Sequence, residues 1–362
     1  MTVDRNFWKG RSVLITGNTG FKGTWLSHWL THLGAEVAGL SLPSEADPSQ
    51  TAQKVGKSPA KTYFSDIREL DAVRECVEAT RPNVVFHMAA QSLVRPSYID
   101  PVGTYATNVM GTVHVLEAVR QVGATEALVV VTSDKCYENR EWHWAYREDE
   151  AMGGYDPYSS SKGCSELVAS AYRRSFFTSS DGRSRPCLIG SCRAGNVIGG
   201  GDWSTDRLIP DIIRSLSDGV SVEIRSPGAV RPWQHVLEPL SGYIKLAERL
   251  VSEQGGNYAE GWNFGPAEVD CRPVSYLVQY MAKAWGEGAG WHLAASPQPH
   301  EANFLKVDSS KSRARLNWYC RMSLDRGLDW TVEWYRRQRS GEKPERLTIE
   351  QIERYEQLGA VA

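Results

Sequence analysis

The chain has 362 residues, 41% of them hydrophobic and 23% charged, with a formal net charge of −2. That is material for a large buried core shared by two lobes, and the near-neutral balance excludes the basic field expected of a nucleic-acid-binding protein. Seven cysteines, an odd number with no C-x-x-C spacing, argue against a disulfide framework or a zinc site and fit a reducing cytoplasm; the N-terminal segment lacks the apolar stretch of a signal peptide, and no run approaches the length of a membrane span.

Taken in chain order, residues 12–16 (SVLIT) form a short apolar run read as a buried strand. A glycine-rich turn follows, then helical periodicity over 25–33. Strands are predicted at 36–42, 63–67, 83–89, 127–132 and 187–193, with helices at 70–80, 101–121 and 157–177. Strands alternating with helices at this spacing predict an α/β fold built on a doubly wound parallel Rossmann sheet. After about residue 195 loops lengthen, and helices are predicted at 208–217, 236–253, 274–285 and 325–339. This is read as a smaller, mixed C-terminal substrate lobe. The expected division is a dinucleotide lobe over 1–190, to which a segment near 230–255 returns, and a substrate lobe over 191–362. The polar stretch 178–185 is read as an exposed loop.

The turn Gly17-Asn18-Thr19-Gly20-Phe21-Lys22-Gly23 joins the first strand to the first helix. Glycines there permit a tight turn and close approach of a pyrophosphate, and the helix N-terminus offers free N–H groups to the anion. The spacing is G-x-x-G-x-x-G, not the usual dinucleotide fingerprint. The end of the second strand has neither the acid expected for NAD nor the arginine expected for NADP, with Glu45 and Asp47 slightly late; the missing arginine favours NAD. Asp66, before Ile67, is read either as a contact to the adenine or as a helix cap.

Tyr158 and Lys162 lie four apart at a predicted helix start and so share a face. An ordinary tyrosine, with a pKa of roughly 10, is no base near neutral pH; an adjacent ammonium favours the phenolate, which then accepts a proton from a sugar hydroxyl as hydride leaves the same carbon. Ser133 stands at the carboxyl end of the fifth strand, where ligands bind in open α/β sheets, and Asp134 and Lys135 follow it. A surface ion pair is the plain alternative for the last two. His28 and His32 share a helix face with no acid or Cys to join them, so no metal centre is expected.

The segments 17–25, 87–92, 107–112, 132–137, 153–158, 195–203, 231–236 and 300–303 together resemble, almost end to end, the extended short-chain dehydrogenase/reductase superfamily and, within it, the CDP-sugar branch of the NAD-dependent nucleotide-sugar 4,6-dehydratases. The Asp134-Lys135 pair is what resembles that branch, since other 4,6-dehydratases usually carry Asp-Glu or a Glu there and 4-epimerases carry neither. The resemblance implies NAD as cofactor, held by Gly17, Thr19, Gly20, Phe21, Lys22, Gly23, Asp66, Ile67, Ala89, Ala90, Gln91, Asn108, Thr132, Tyr158 and Lys162. It implies catalysis by Ser133, Asp134, Lys135, Tyr158 and Lys162, and substrate contacts from Ser92, Asn196, Arg207, Arg231 and His300. The implied reaction converts CDP-glucose to CDP-4-keto-6-deoxyglucose and water, with Lys135 either taking the C5 proton or, staying charged, stabilising an enolate. A cytoplasmic homodimer through the two long helices, or a tetramer of such dimers, is implied too. The competing readings are a 4-epimerase or a dehydratase of another nucleotide sugar, and a non-catalytic NAD-binding sensor; joint retention of Ser133, Tyr158 and Lys162 argues against the sensor.

Overall fold

The computed structural model describes residues 3–43, 57–177, 186–286, 290–294 and 304–359. Its strands are β1 (Ser12–Thr16), β2 (Glu36–Ser41), β3 (Lys61–Phe64), β4 (Val84–His87), β5 (Ala127–Val131), β6 (Leu188–Ala194), β7 (Val197–Ile198), β8 (Val222–Ile224), β9 (Val230–Pro232), β10 (Gln234–His235), β11 (Gly261–Phe264), β12 (Cys271–Pro273) and β13 (Trp291–Leu293). Seven of them make one sheet in the order β11-β6-β5-β4-β1-β2-β3, and every neighbouring pair in it is parallel. The expected α/β doubly wound sheet is therefore present. The chain runs outward from β1 through β2 to β3, then returns to β4 on the other side of β1. That reversal opens a crevice at the carboxyl ends of β1 and β4, where such sheets bind ligands.

The inner strands are apolar throughout because both faces are covered. Side-chain alternation divides them between two cores. Val13, Ile15, Phe86 and Val129 pack with Trp25 and Trp29 on one face; Leu14, Val85, Leu128 and Val130 pack on the other with Val73, Val115 and Ala169 from the crossover helices. Several of the thirteen tryptophans are core residues: Trp8, Trp25, Trp29, Trp262 and Trp334 are fully buried. β11 extends the sheet beyond β6, and the helix Leu237–Val251 lies across β5 and β6.

The expected strands and helices are found with shifted ends. The first helix begins at Phe21, four residues before the expected start, because Gly20 is its extended N-cap and the turn itself is tight. β3 covers 61–64, earlier than the expected 63–67. The expected single helix over 101–121 is a short helix Pro101–Tyr105, a π turn Ala106–Met110 and a helix Gly111–Val122. The interruption has a cause: the Asn108 carbonyl accepts the hydroxyls of Thr112 at 2.6 Å and Ser165 at 2.8 Å, side-chain bonds that compete with the helical ladder. Short helices Arg5–Trp8 and Val94–Ile99 and the terminal helix Pro344–Glu356 went unread in the sequence. The stretch 178–185 lies outside the described residues.

A buried carboxylate on the helix Leu237–Val251 helps hold the C-terminal segments against the rest of the fold. Glu238 accepts the backbone N–H groups of Arg321 (2.9 Å) and Met322 (2.8 Å) and the Tyr355 hydroxyl (2.9 Å). Burial pushes its pKa up to about 7 against those bonds. Glu238→Ala orphans two buried amides and leaves the Tyr355 phenol with Ser241 alone, at 3.1 Å, and buried amides are costly to leave unpaired. A loss of about 3 kcal/mol in unfolding free energy is expected from urea titration.

Candidate active site

A cavity of about 900 Å³ occupies the crevice. Its first wall is the turn after β1. Gly17 has φ +76°, and a Cβ there would lie 2.9 Å from the Ala89 backbone. A Cβ on Gly23 would strike the Gly17 carbonyl. The turn therefore closes only with hydrogen at both positions. Asn18 locks it from beneath: its amide donates to Thr62 at 2.8 Å and its carbonyl accepts the Ser41 hydroxyl at 2.8 Å. Thr19, Gly20, Phe21 and Lys22 face the cavity with the helix N-terminus. The absence of side chains at the turn, together with the free N–H groups, suits a pyrophosphate.

Ser65, Asp66, Ile67 and Arg68 line the far end of this half. Asp66 is not the helix cap; Glu69 holds that position. The Asp66 carboxylate accepts the Arg68 side chain at 2.6 and 2.9 Å, which lowers its pKa. An arginine thus stands at this end of the cavity after all, contributed by the loop after β3, but it is engaged by its own neighbour. Glu45 and Asp47 lie outside the described residues.

Ala89, Ala90 and Gln91 follow β4 along the floor of the cavity. Asn108 is buried behind them and is not in the cavity wall. It accepts the Gln91 N–H at 2.8 Å, and donates to the Gln91 carbonyl at 2.9 Å and to Ser161 at 2.8 Å. It therefore holds the floor against the helix that carries Tyr158. Thr132 likewise turns its hydroxyl away, to Glu166 at 2.5 Å.

That helix, Pro157–Ser175, starts where Asp156 accepts the Ser159 N–H at 2.9 Å and hydroxyl at 2.6 Å, with Pro157 in the first turn. Tyr158 and Lys162 then project into the cavity one turn apart, both buried. Ser133, Asp134 and Lys135, in the short 3₁₀ turn after β5, face the same space. The sequence places all five side chains in one wall, as expected. The electrostatics differ from expectation. Burial pushes the Tyr158 phenol up to about 12, opposed by its hydrogen bond with Ser133 and by Arg207. Lys162 donates to the Val131 carbonyl at 3.4 Å, and burial brings its pKa down to about 8 against the pull of Glu166. Lys22 is brought to about 8 too, by burial and by repulsion from Arg207 and Lys162. Burial raises Asp134, opposed by Lys135, Ser133 and Arg231.

The other half of the cavity is lined by Ser92, Asn196, Arg207 and Arg231. Arg207 donates to Ser92 at 3.0 Å and to Asp202 at 3.2 Å. Arg231 is buried, close enough to Asp134 to favour its anion. His300 lies outside the described residues. The sequence reading missed Asp206, which accepts Arg95 at 3.1 Å and Arg225 at 2.9 Å at the mouth; no motif joins these three, which come from separate elements. Among the described residues no cluster of His, Cys, Asp and Glu suits a metal, and no helix is long and apolar enough to cross a membrane.

A nucleotide-binding turn, a Tyr-Lys pair and a carboxyl-amine pair in one crevice define a dinucleotide-dependent sugar-modifying enzyme. The chain belongs to the nucleotide-sugar dehydratases described as GDP-mannose 4,6-dehydratase, whose family model matches residues 14–248. It is 52% identical over 334 residues to CDP-glucose 4,6-dehydratase of Salmonella typhimurium, covering 92% of this chain and 93% of that one. The dTDP-glucose 4,6-dehydratase of Streptomyces griseus is 29% identical over 92% of this chain and 96% of its own length. The same fold is seen in the dTDP-glucose 4,6-dehydratase DesIV from Streptomyces venezuelae, solved with NAD bound (TM-score 0.75, 23% identity, 92% of this chain and 99% of that one).

Gly17→Ala forces a Cβ into the Ala89 backbone in a left-handed conformation. Its affinity for NAD, followed by quenching of tryptophan fluorescence, is expected to fall at least about tenfold, roughly the 1–3 kcal/mol that such strain costs.

Proposed function

We propose that this protein is a CDP-glucose 4,6-dehydratase, forming CDP-4-keto-6-deoxyglucose and water with NAD as a recycled cofactor. The observation that carries the reading is Asp134 and Lys135 in the cavity wall beside Ser133 and Tyr158. A 4-epimerase or a simple dehydrogenase has no use for that second acid-base pair. The 52% identity to a CDP-glucose 4,6-dehydratase supports the base and the sugar.

The turn Gly17–Gly23 would hold the cofactor's pyrophosphate and the 65–68 loop its adenosine; NAD bound there would supply a hydride acceptor for C4 and the same hydride for C6. Tyr158 takes the C4 hydroxyl proton, with the Ser133 hydroxyl placing the oxygen and Lys162 supplying positive charge. The resulting 4-ketone acidifies C5–H. Lys135, as the free amine, takes that proton and later returns it. Asp134 donates to the departing C6 hydroxyl; its buried position favours the protonated acid this step requires. Arg231, Arg207 and Asn196 hold the diphosphate, a geometry that suits a guanidinium fork, and Ser92 and His300 complete the substrate contacts. Residues 1–190, with 230–255 returning, act as the dinucleotide lobe, and 191–362 mainly as the sugar-nucleotide lobe. Exposed apolar side chains on the two helical stretches, Val102 and Leu167, and just before them, Ile99 and Tyr155, support a homodimer through that face, in the cytoplasm of a cell that makes deoxysugars.

Incubation with CDP-glucose is expected to yield a product with the ultraviolet absorbance of a 4-keto sugar in base. Turnover of dTDP-glucose or GDP-mannose in its place would overturn the base assignment. Lys135→Met, which removes the basic group, is expected to spare C4 oxidation and to slow dehydration by about a hundredfold or more, the usual worth of a general base; dehydration at the unmodified rate would remove Lys135 from the mechanism. Lys162 has a depressed pKa, so its charge is present below about 8 and lost above. Activity is expected to fall as pH rises through that value. Lys162→Arg, which stays charged, is expected to be slower but to lose that alkaline limb.

A further inference from the structure

Three polar side chains lie beneath the cavity and form no part of its wall: Thr16 at the end of β1, His87 at the end of β4 and Thr112 in the helix Gly111–Val122. All three are buried, His87 at 3% exposure. Thr16 and His87 are register partners on adjacent parallel strands. The Thr16 hydroxyl stands 2.8 Å from Nδ1 of the imidazole, and the Thr112 hydroxyl 3.1 Å from Nε2.

Hydrogen-bonding capacity fixes the direction of both contacts. A hydroxyl has one proton to give and two lone pairs to offer. The Thr16 oxygen accepts the N–H groups of Met88 and Ala89, each at 3.1 Å, so its proton goes to His87 and Nδ1 is the acceptor. The Thr112 hydroxyl gives its proton to the Asn108 carbonyl at 2.6 Å, so it accepts from the ring, and Nε2 carries the hydrogen. The two ends independently demand one form, a neutral imidazole protonated at Nε2. An imidazolium would aim a second N–H at a Thr16 oxygen whose lone pairs are taken. Burial and the charge of Lys162 act in the same direction, bringing the pKa of His87 down to about 3.

The ring thereby joins three segments. Thr16 ties the strand before the glycine turn to the backbone at 88 and 89, against which Gly17 packs. Thr112 leads to Asn108, whose side chain accepts the Gln91 N–H in the cavity floor and whose carbonyl also accepts the Ser165 hydroxyl at 2.8 Å. Ser165 lies three residues beyond Lys162 on the helix Pro157–Ser175. The cofactor half of the site and the helix of the Tyr-Lys pair are thus opposite ends of one directed chain of hydrogen bonds.

We propose that His87 is a positioning residue for hydride transfer: as the Nε2–H tautomer it holds the glycine turn and the cavity floor in register with the helix that carries Tyr158 and Lys162. Reacting carbons must come within roughly 3–3.5 Å of one another. One would be held from the turn and the floor, the other by the hydroxyl at Tyr158, so a slip between the two segments is a slip between the reactants. Neither His87 nor its threonine partners touch the cavity, so they act through the groups they hold.

Only the kinetic arm of the test rests on the dehydratase reading; the first arm needs no substrate. Long-range proton–nitrogen NMR of the histidine-labelled enzyme separates the tautomers, and the His87 signal is the one displaced in Thr112→Val. It is expected to show a bare Nδ1 and a protonated Nε2. A ring protonated at Nδ1, or at both nitrogens, would overturn the assignment. The second arm compares Thr112→Val, which replaces the hydroxyl by a methyl group, with Thr112→Ser, which keeps it. In Thr112→Val the kcat for CDP-glucose is expected to fall about tenfold to a hundredfold, the cost of misplacing reacting groups by up to about an ångström, while KM and the affinity for NAD, read by tryptophan fluorescence, stay within about threefold. Thr112→Ser is expected to keep the unmodified kcat. His87→Leu is expected to lose as much as Thr112→Val, and the double variant no more than either, because a single link is broken once. Failure of the unmodified enzyme to turn over CDP-glucose defeats the dehydratase reading and leaves the tautomer standing. A Thr112→Val enzyme that melts earlier yet keeps its kcat, one whose loss lies in NAD affinity instead, or a Thr112→Ser enzyme as slow as Thr112→Val would overturn the positioning role and leave His87 a residue of the fold alone.

Discussion

The geometry of the site depends on a buried carboxylate that touches neither cofactor nor sugar. Glu166 sits one turn beyond Lys162 and accepts three hydrogen bonds: Thr132 from the end of β5 (2.5 Å), Ser191 from β6 (2.7 Å) and the Arg193 guanidinium from β6 (2.9 Å). Arg193 in turn donates to the Tyr137 hydroxyl at 2.7 Å. A charge so deep in the protein is tolerable only when its partners are complete, and here the partners come from two strands and a turn. The reactive hydroxyl of Ser133 and the helix bearing Tyr158 are thereby held in one frame. Chemistry that needs several groups aligned to a fraction of an ångström is served by such a frame, since the supporting bonds restrict the reacting side chains without occupying them.

On the cavity side of that frame the balance is reversed. Lys22 and Lys162 repel one another in a space that has removed their solvent, and both have pKa values lowered to about 8. Asp134 is pushed in the opposite direction, toward its neutral form. Burial is the largest cause of each of these shifts, and they have opposite signs because it disfavours whichever form is charged. The result is a site whose acid and amine groups lie closer to the pH of the cell than their ordinary values would place them, and whose excess positive charge, with Arg207 and Arg231, is matched to ligands carrying two diphosphates.

Much of this was legible in the residue order. The alternation of apolar strand and helix, the glycine turn and the Tyr-x-x-x-Lys pair are local patterns, each governed by a few neighbouring residues, and the sheet and the catalytic wall followed from them. The helix over 101–121 shows where such reading stops. Its periodicity is continuous, but Ser165, more than fifty residues away, takes the Asn108 carbonyl and widens the turn. Asn108 and Thr132 show the same limit at the level of single side chains. Both lie in segments that mark the cofactor site, yet their polar groups face inward to Gln91, Ser161 and Glu166. Tyr158 shows it for electrostatics: the lysine expected to lower its pKa donates to a backbone carbonyl, and burial dominates.

The order of residues determined the elements, the parallel sheet and the side chains that meet in the cavity wall, because hydrophobic period, glycine placement and i,i+4 spacing are short-range properties. Only the tertiary structure decided that β11 joins the sheet beside β6, that Asp206 gathers Arg95 and Arg225 at the cavity mouth, and that Asn108 holds the cavity floor against Ser161. Those depend on contacts between segments far apart in the chain, and on a burial that removes water from charged groups, neither of which a local pattern records.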